Sequence, residues 1–560
     1  ESMIEADVCI IGSGAGGSPI AYELSKKGYR VVVLEKGKSY STSDFNKDEV
    51  ACCRRDLYTP NLKEEFHAIE NKESSKDEWI TAPSYESGPS FWNGNCVGGS
   101  SNFMSGFFHR LKPIDFRLLS EFGPIDGANV VDWPITYEDL EPYYTKVEHV
   151  VGISGRVTSH AALEPRSTPD YPLPPLRENI VSSLIDEAAR ALGFSPFPVA
   201  RAILSEQRGN RGSCYYSNFC GSYGCSSGAK GSGRAALLDD AVRTGNCLIL
   251  PEAQVFRLEM DQRNRVSFAR YFDVDGNEKR VKAKQFVVAC QAIESVRLLF
   301  LSANRFHPEG IGNRYQQLGK NLVFSAGGAG GGDFYFDELP EQLASSLKEP
   351  GWFVNRALQD WYTIDDKKFG QRAKGGTIDF LFEHANPIRR AMSAKWNGSK
   401  LLWGNELKEK LHKEFTQRRE LRFEVFNDWL PTDDCFVSLD SHLRDKWSIP
   451  VAKVRLGYHP HDLKVGRYLT EKAKRVLRKM KLHNIRGSVS GAPPPNLIAG
   501  GCRFGTKPVT SYLDANCRVH DVDNLYVSDG SFMPTGGSVP YTWTIYANSF
   551  RVADKLLARM

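Results

Sequence analysis

Three glycines and one acidic residue near the N-terminus have the spacing of a dinucleotide-binding site. Gly12, Gly14 and Gly17 form the pattern G-x-G-x-x-G, and Glu35 follows the next apolar run. In this pattern the first glycine allows a tight turn, the second lets the backbone approach a pyrophosphate, and the third allows a helix to pack closely on a strand. A carboxylate at Glu35 can accept hydrogen bonds from ribose hydroxyls. These residues predict a dinucleotide cofactor, but they do not separate FAD from NAD.

A cysteine triplet is the second group of residues that could carry chemistry. Cys214, Cys220 and Cys225 have the spacing C-x5-C-x4-C in a segment rich in Gly, Ser and Tyr. Thiolates at such spacing can converge on one iron–sulfur centre, and three ligands suit a three-iron cluster better than the usual four-cysteine cluster. A structural zinc ion would need a fourth ligand, and no nearby His supplies it. A disulfide or free thiols are the alternatives that stay open.

Two histidines form the densest histidine cluster of the chain. His459 and His461 lie within the segment Tyr458–Asp462. The pKa of an imidazole suits a proton acceptor near neutral pH, so either residue is a candidate general base. The alternative is that both are surface or capping residues.

The elements that would position the glycines form one βαβ unit. Val8–Ile11 is a short apolar run typical of a buried strand, and Val31–Leu34 is a second one. Between them, Ser18–Lys27 has a helical periodicity that ends at Gly28. The glycine pattern therefore lies at the turn from a strand to a helix, which is where it binds phosphates.

Beyond this unit the chain changes character. Residues 41–90 are polar and irregular, whereas 245–290 has the pattern of successive strands, with a hairpin signal at Asp275–Gly276. A helical pattern follows over Ala289–Leu299. The residues after the glycine run at 327–332 differ again, and this predicts a further domain.

Composition excludes several classes of protein. The chain has 560 residues, 25% of them charged, and a net charge of +5, so we expect a folded protein with no nucleic-acid partner. No window approaches the roughly 18 apolar residues of a transmembrane segment. No signal peptide is visible. The first residues, Glu1–Met3, are also compatible with a removed leader, so a cytoplasmic and an exported, periplasmic location both stay open.

Several further motifs occur in a fixed order, and together with the βαβ unit they resemble the glucose–methanol–choline (GMC) flavoprotein oxidoreductases. The resemblance is closest to the catalytic subunits of bacterial sugar and alcohol dehydrogenases. The motifs are Trp92–Asn95, Val97–Ser101, Gly500–Gly505, Asn524–Pro534 and Thr542–Ile545.

The resemblance implies an α/β (α+β) fold in two domains. A Rossmann-like FAD-binding domain would comprise 1–320 and 490–560, with an irregular insertion at 41–90 and a cysteine-rich loop at 212–230. Residues 321–489 would form an inserted substrate domain of antiparallel sheet and helices.

The resemblance also implies which residues bind FAD. Its pyrophosphate, ribose, flavin and adenine would contact residues in five segments of the chain. These residues are Gly12, Gly14, Gly17, Glu35, Gly94, Gly98, Gly99, Ser100, Val255, Asp529 and Gly530. Family members that attach flavin covalently use a His soon after the Gly98–Gly99 position. Here that stretch is Asn102–Met104, so we expect dissociable, non-covalent FAD.

The usual proton-transfer residues of the family are missing. The family places a His before the G-x-C-R-x-G motif and a His or Asn before T-x-T-I, and these positions fall on Leu497 and Pro540. Neither side chain can move a proton. One explanation is a register shift by one residue, which would make Asn496 and Tyr541 the polar pair. A base from elsewhere, or the loss of alcohol oxidation, are the other two.

We therefore predict an FAD-dependent dehydrogenase that oxidises an alcohol group, of a sugar or polyol, by hydride transfer to flavin N5. His459 or His461 would be the base, and Tyr541 or Asn496 would orient the hydroxyl. Electrons would leave to an acceptor or a partner subunit. Some GMC sugar dehydrogenases carry a three-iron cluster in the region of the cysteine triplet, with a shorter last gap, so this centre could take part. Oxidase activity stays open, and the alternative function is a GMC-fold flavoprotein with altered or lost alcohol oxidation.

Overall fold

The computed structural model describes residues 3–52, 63–73, 75–86, 89–91, 94–325, 327–349, 351–494 and 496–560. The helices are α1 (Ser18–Lys26), α2 (Glu49–Cys52), α3 (Leu118–Phe122), α4 (Tyr137–Val147), α5 (Val181–Ala191), α6 (Asp239–Arg243), α7 (Ala292–Leu301), α8 (Glu341–Lys348), α9 (Pro387–Ala394), α10 (Gly404–His412), α11 (Pro460–Lys479) and α12 (Thr542–Leu557). Among these described helices, none combines the length and the apolar character that crossing a membrane requires.

The strands in the described part of the chain are short and numerous. They are β1 (Ile4–Ile11), β2 (Val31–Leu34), β3 (Ala68–Glu73), β4 (Glu78–Pro83), β5 (Phe107–Phe108), β6 (Phe197–Pro198), β7 (Ala200–Arg201), β8 (Cys247–Leu250), β9 (Gln254–Met260), β10 (Val266–Phe272), β11 (Glu278–Val288), β12 (Val323–Phe324), β13 (Gly328–Tyr335), β14 (Arg356–Leu358), β15 (Thr363–Ile364), β16 (Ala373–Lys374), β17 (Gly376–Phe382), β18 (Trp396–Asn397), β19 (Lys400–Leu401), β20 (Arg418–Asn427), β21 (Phe436–Arg444), β22 (Pro450–Arg455), β23 (His483–Val489), β24 (Ile498–Ala499) and β25 (Leu525–Val527).

The first sheet has seven strands and carries the N-terminal βαβ unit. Its order is β8-β2-β1-β11-β10-β9, and β25 from near the C-terminus pairs with β11. The strands β8, β2, β1, β11 and β25 are parallel, whereas β11, β10 and β9 form an antiparallel edge. The helices α1 and α12 pack together beside this sheet. Because both faces of a parallel sheet are covered, the run Val8–Ile11 of β1 and the strand β2 are buried and apolar without alternation.

The second sheet has six strands in the order β23-β13-β20-β17-β14-β6, all antiparallel. One face packs under α11 and buries Leu421, Phe423 and Val425 of β20. The opposite face carries the alternate residues of the same strand, among them Glu424 and Phe426, because successive side chains of a strand point to opposite faces. The Rossmann-like domain with an inserted antiparallel sheet, expected from the resemblance, is confirmed.

The structure differs from the sequence prediction at the irregular insertion, 41–90. This segment contains β3 and β4, which join β21 and β22 in a four-stranded sheet. The strand β3 pairs in parallel with β22, so Ala68 lies opposite Lys453. A pairing over such a sequence distance leaves no local signal, and the exposed pattern of β4 hides it further. We keep 321–489 as the proposed substrate domain and add Phe197–Pro198 at the edge of its sheet.

Candidate active site

A cavity of about 680 Å³ is lined by residues of both sheets. This volume falls within the range of about 300–1,000 Å³ that is usual for cofactor and ligand pockets. The glycine turn after β1 and the start of α7 form one side of it. Residues of β13 and β20 form a roof on the other side, and segments before β24 and α12 complete the wall.

The glycine turn fits a dinucleotide because its backbone leaves no room for side chains. A Cβ on Gly12 would lie 2.0 Å from the carbonyl oxygen of Ala289, and one on Gly17 would lie 2.3 Å from that of Gly12. Gly14 instead faces the cavity, where the nearest atom to a Cβ would be 3.9 Å away. No side chain caps the N-terminus of α1. Ser18 N donates to Gly14 O at 3.0 Å and Pro19 has no N–H, so the helix would act on phosphate oxygens mainly through the positive end of its dipole.

Glu35 connects this turn to the next predicted segment. The buried carboxylate accepts hydrogen bonds from Ser13 N at 3.3 Å, Ser13 Oγ at 2.5 Å and Gly37 N at 2.9 Å. Burial raises the pKa of Glu35, although these hydrogen bonds oppose the shift. Ser13 Oγ also accepts a hydrogen bond from Gly98 N at 3.1 Å. One serine therefore joins Glu35, the acid expected to bind the ribose, to the turn expected to wrap the flavin.

The residues expected around the flavin lie at the same cavity. Gly94, Gly99 and Ser100 line it, and Ser100 Oγ accepts a hydrogen bond from Gly94 N at 3.1 Å. Gly98 supports the wall from behind with a left-handed backbone, at φ +93°. Residues 92–93 of the predicted motif lie outside the described residues.

The C-terminal segment closes the cofactor side. Asp529 and Gly530 line the cavity, and Val255 of β9 lines it at another point. Asp529 accepts a hydrogen bond from Ser531 N at 2.8 Å and others from the hydroxyls of Ser531 and Ser295. Burial raises the pKa of Asp529. The two ends of the chain thus meet at one cofactor-sized groove.

The polar pair predicted by a register shift is only partly brought to the cavity. Asn496 lines it together with Leu497 and Pro540. Tyr541 is buried and is not among the cavity-lining residues. Burial raises the pKa of its hydroxyl well above the ordinary value, with the charge of Asp428 adding to the shift, so this hydroxyl stays protonated.

The structure places His459 and His461 at the N-terminus of α11, away from the cavity lining. His459 Nδ1 accepts a hydrogen bond from His461 N at 3.1 Å, and its Nε2 contacts Asp126 O at 2.8 Å. The ring of His461 packs on that of Phe369, and burial lowers the pKa of this imidazole. The structure therefore does not bring either imidazole to the lining of the cavity.

A buried ionic network holds the segment that precedes α12. Lys374 Nζ lies 2.7 Å from Asp115, 3.1 Å from Asp428 and 2.5 Å from Ser538 Oγ. Asp428 also accepts a hydrogen bond from Gly537 N at 2.7 Å. Burial lowers the pKa of Lys374, but the two carboxylates outweigh it and raise the pKa above the ordinary value. The network fixes the backbone just before Pro540.

The roof contributes two titratable residues that the sequence did not single out. Among the described cavity-lining residues of the substrate domain, only Glu424 and His384 can titrate. In the sheet, Glu424 lies directly opposite Asp379 of β17 and Ala329 of β13. The alternation of apolar and charged residues in 418–427 was the available signal, but it does not tell which face meets a cavity.

The three predicted cysteines line one small cavity of about 100 Å³. In the structure Cys214, Cys220 and Cys225 are free thiols. Burial raises the pKa of Cys214 to about 12. For Cys225, the charge of Lys230 and several hydrogen bonds outweigh burial and lower the pKa. In the described part of the chain, no three His, Cys, Asp or Glu side chains converge closely enough to hold a single metal ion.

The backbone of the cysteine loop winds around this small cavity. Tyr216, Asn218 and Ser222 adopt left-handed conformations, with φ of 56°, 69° and 74°. Such conformations are uncommon outside glycine and persist where the surroundings fix them. The residues that line both this cavity and the large one include Ser105, Phe107 and His384. The two cavities therefore share a wall.

Taken together, the glycine turn, the buried carboxylate of Glu35 and the groove closed by the C-terminal segment fit an FAD-dependent oxidoreductase. Family models described as GMC oxidoreductase match residues 80–325 and 431–549, and one described as FAD dependent oxidoreductase matches 7–56. The chain belongs to the GMC oxidoreductase family and is an enzyme that acts on CH–OH groups.

Relatives are similar over almost the whole chain. The chain is 30% identical to 6'''-hydroxyparomomycin C oxidase of Streptomyces lividus and 30% identical to paromamine 6'-oxidase of Streptomyces fradiae, in both cases over 99% of this chain and 92% of the relative. It is 27% identical to the fructose dehydrogenase large subunit of Gluconobacter japonicus, over 99% of this chain and 98% of that one.

Solved structures show the same fold. A variant of the formate oxidase of Aspergillus oryzae superimposes with a TM-score of 0.65 at 15% identity, covering 100% of this chain and 99% of that one. Pyridoxine 4-oxidase from Mesorbium loti superimposes with a TM-score of 0.62 at 17% identity, covering 99% of both chains.

Proposed function

We propose that this protein oxidises a hydroxyl group of a sugar or polyol with FAD as the oxidant. The observation that carries the proposal is one cavity between two parts of the molecule. On one side lies the cradle, by which we mean the glycine turn at 12–17, Glu35, the start of α7 and Asp529–Gly530. On the other side lies the roof formed by β13 and β20, which contributes Glu424. Related proteins named for fructose and for 2-methyl-1,2-propanediol support the substrate class, since both compounds carry hydroxyl groups.

The residues of the cradle would hold the cofactor without a covalent bond. Gly12 and Gly14 with the N-terminus of α1 would bind the pyrophosphate, and Glu35 would accept hydrogen bonds from the ribose. Asn102–Met104 offers no histidine for attachment, and the Asn102 amide instead donates to the carbonyl oxygens of Val97 and Gly99. When bound, the flavin supplies the acceptor for the hydride that leaves the alcohol carbon.

Asn496 is the side chain that we propose to orient the substrate hydroxyl. It lines the cavity beside Leu497, and an amide can both donate to and accept from a hydroxyl. Tyr541 would act from behind the lining, through the position of the segment before α12.

We also propose that the cysteine loop holds a three-iron cluster. Three thiols on one cavity support it, as do the fixed left-handed loop and the lowered pKa of Cys225, because the thiolate is the ligand form. Cys214, Cys220 and Cys225 would supply the three thiolate ligands of such a cluster. The cluster would supply a one-electron carrier next to the shared wall, and the partner would be an electron-transfer subunit or acceptor.

The alternative function is a flavoprotein of this fold whose alcohol oxidation is altered or lost. The observation that favours it is that Leu497 and Pro540 line the cavity at the positions where the resemblance implies His and His or Asn.

Three measurements on the purified protein test these proposals, and the first is made under anaerobic conditions. Purified protein loaded with FAD is mixed with D-fructose, paromamine and 2-methyl-1,2-propanediol, and the flavin absorbance is followed. Bleaching by at least one of them supports alcohol oxidation, and no bleaching by any of them supports the alternative. Acid precipitation should release the FAD into solution. Iron and sulfide analysis of wild type against Cys225→Ser tests the cluster, and an absence of iron and sulfide from the wild type would exclude it.

A further inference from the structure

The roof of the cavity carries a row of small and acidic side chains on one face of the second sheet. Directly opposite residues in antiparallel strands point to the same face. The register therefore places Ser488, Ala329, Glu424 and Asp379 side by side across β23, β13, β20 and β17. The first three of these line the cavity. The core packs on the other face, through Phe423 and its neighbours.

Few side chains at the cavity could accept a proton from a substrate. On the cofactor side the acids are Glu35, Glu294 and Asp529. Glu35 and Asp529 are engaged by backbone and serine donors. Glu294 is hydrogen-bonded to His67 and forms an ion pair with Arg297. These three groups belong to the cradle.

On the roof, His384 lies at the wall shared with the cysteine loop. A Cβ on Gly221 would lie 2.2 Å from its ring, which shows that the imidazole packs against that loop. Glu424 is the other titratable group, and it lies in the middle of the sheet between Ala329 and Asp379.

We propose that Glu424 is the catalytic base of this enzyme, which takes the hydroxyl proton of the substrate. This inference rests on the proposed function. The O–H bond breaks and its proton moves to a carboxylate oxygen of Glu424. The oxygen electron pair forms the C=O bond as the C–H bond breaks, and the hydride leaves with two electrons to the FAD, so the alcohol is oxidised and the flavin reduced.

The surroundings of Glu424 suit this role. Burial and the negative charge of Asp379 raise the pKa of Glu424, while the charges of Arg422 and Arg201 oppose the shift. A carboxyl group is an efficient general base when its pKa lies near the working pH rather than at the ordinary value of about 4.3. The raised pKa moves Glu424 in that direction.

Asp379 is a positioning residue in this arrangement. It is fully buried, and its Oδ1 lies 2.9 Å from His109 Nε2. Its Oδ2 is buried without a hydrogen-bond partner among the described residues. His109 therefore anchors the carboxylate of Asp379, whose charge acts on Glu424. The charge of Arg201 interacts with both Asp379 and Glu424.

The first test needs no substrate. Infrared titration of the carboxyl band of the FAD-loaded protein compares wild type with Glu424→Gln. The difference between the two removes the signals of Glu35 and Asp529, whose pKa values burial also raises. One carboxyl that titrates well above the bulk of the acids should remain. An empty difference spectrum over that pH range would overturn the proposal.

The second test follows flavin reduction by stopped flow with D-fructose, paromamine and 2-methyl-1,2-propanediol. Glu424→Gln should slow reduction by about 100-fold or more and abolish its rise with pH. Asp379→Asn should shift that rise to lower pH with little loss at the plateau, because it removes a charge that keeps the proton on Glu424. A merely structural Asp379 would not move the pH profile.

Two variants complete the design. Glu341→Gln is the control, because Glu341 is an exposed acid of the same domain, on α8, that does not line the cavity; its reduction rate should equal that of wild type. His384→Gln tests the competing base, and loss of the pH-dependent rise in this variant alone would overturn the assignment to Glu424. If wild-type flavin is not reduced by any of the three compounds, the proposed function fails. If it is reduced and Glu424→Gln is equally fast, only this inference fails.

Discussion

The cofactor cradle and the roof of the cavity are built in opposite ways. The cradle is formed by backbone segments in close contact. A Cβ on Gly12 would lie 2.0 Å from Ala289 O, and one on Gly16 would lie 1.9 Å from Ser528 O. The roof depends instead on side chains, namely Glu424 and the hydrogen-bonded pair His109 and Asp379. These two residues are 270 positions apart in the chain.

The comparison teaches where each region is vulnerable. A cradle made of close backbone contacts has no space for a methyl group. Replacing one of its tightly packed glycines by alanine should therefore disrupt it. A roof made of buried charges tolerates changes of shape better than changes of charge, because a buried charge without its partner is costly.

The largest effect should come from Gly12→Ala. The new methyl would collide with Ala289 O, and the backbone at φ +105° disfavours any side chain. We expect a loss of stability on the order of 4 kcal/mol or more, the range of severe single substitutions, together with loss of bound FAD. Thermal unfolding and the flavin content of the purified protein measure both.

The matched control is Gly14→Ala in the same turn. Its Cβ would meet only Gly98 O, at 3.9 Å, so the apoprotein should unfold at the wild-type temperature. The methyl group would point into the cavity and weaken FAD binding. Equal unfolding temperatures for Gly12→Ala and Gly14→Ala would show that backbone packing does not govern the cradle.

The sequence reveals the cradle because its signal is local. Gly12, Gly14 and Glu35 lie within one βαβ unit, and their spacing indicates a dinucleotide, although it does not separate FAD from NAD. The link through Ser13 from Glu35 to Gly98 was not predictable, since a serine in a glycine turn carries no mark of its partner.

The roof was not predictable for a related reason. Glu424 acquires its role only when β20 pairs with β13 and β17, and the register that places it beside Asp379 is a property of the assembled sheet. His459 and His461 show the converse, because a dense cluster of catalytic residue types lies at a helix terminus instead. Residue type and spacing indicate a site only where one local element contains it.

The next largest effect should come from the buried ionic network around Lys374. Lys374→Met should destabilise the protein by about 3–5 kcal/mol, because it leaves Asp115 and Asp428 buried without their cation. Lys279→Met, at an exposed ion pair, is the control and should change stability by less than about 0.5 kcal/mol. Urea unfolding at neutral pH gives both values, and a small loss in Lys374→Met would contradict the comparison.

The same network predicts a pH dependence. The folded protein raises the pKa of Lys374 above the ordinary value of about 10.4. Its contribution is therefore complete below that pH and is lost as the pH rises through the folded-state pKa. The stability difference between wild type and Lys374→Met should narrow in strongly alkaline urea titrations, and a constant difference would count against the network.

A third, smaller effect is expected at Glu35. Glu35→Ala removes the carboxylate proposed to accept hydrogen bonds from the ribose, together with the acceptor for Ser13 and Gly37. A hydrogen bond to a charged group is worth about 1.5–3 kcal/mol. The FAD affinity of the apoprotein, measured by quenching of flavin fluorescence, should fall by about 10-fold to 100-fold. Glu35→Gln keeps an acceptor and should fall less. Equal affinities for wild type and Glu35→Ala would separate this acid from cofactor binding.

The smallest effect should come from Asn496→Ala. This variant tests whether the catalytic chemistry depends on a local sequence motif or on residues brought together by the folded sheet. If Asn496 only orients the hydroxyl, its loss costs one neutral hydrogen bond of about 1 kcal/mol, so KM should rise about fivefold while kcat keeps its pH profile. The Glu424→Gln variant should show the reverse, a fall in kcat with a lost pH dependence. A fall in kcat for Asn496→Ala as large as that for Glu424→Gln would mean that proton transfer depends on the G-x-C-R-x-G neighbourhood after all. The chemistry of the site would then lie in a local motif, as the cradle does, and the contrast between the two regions would not hold.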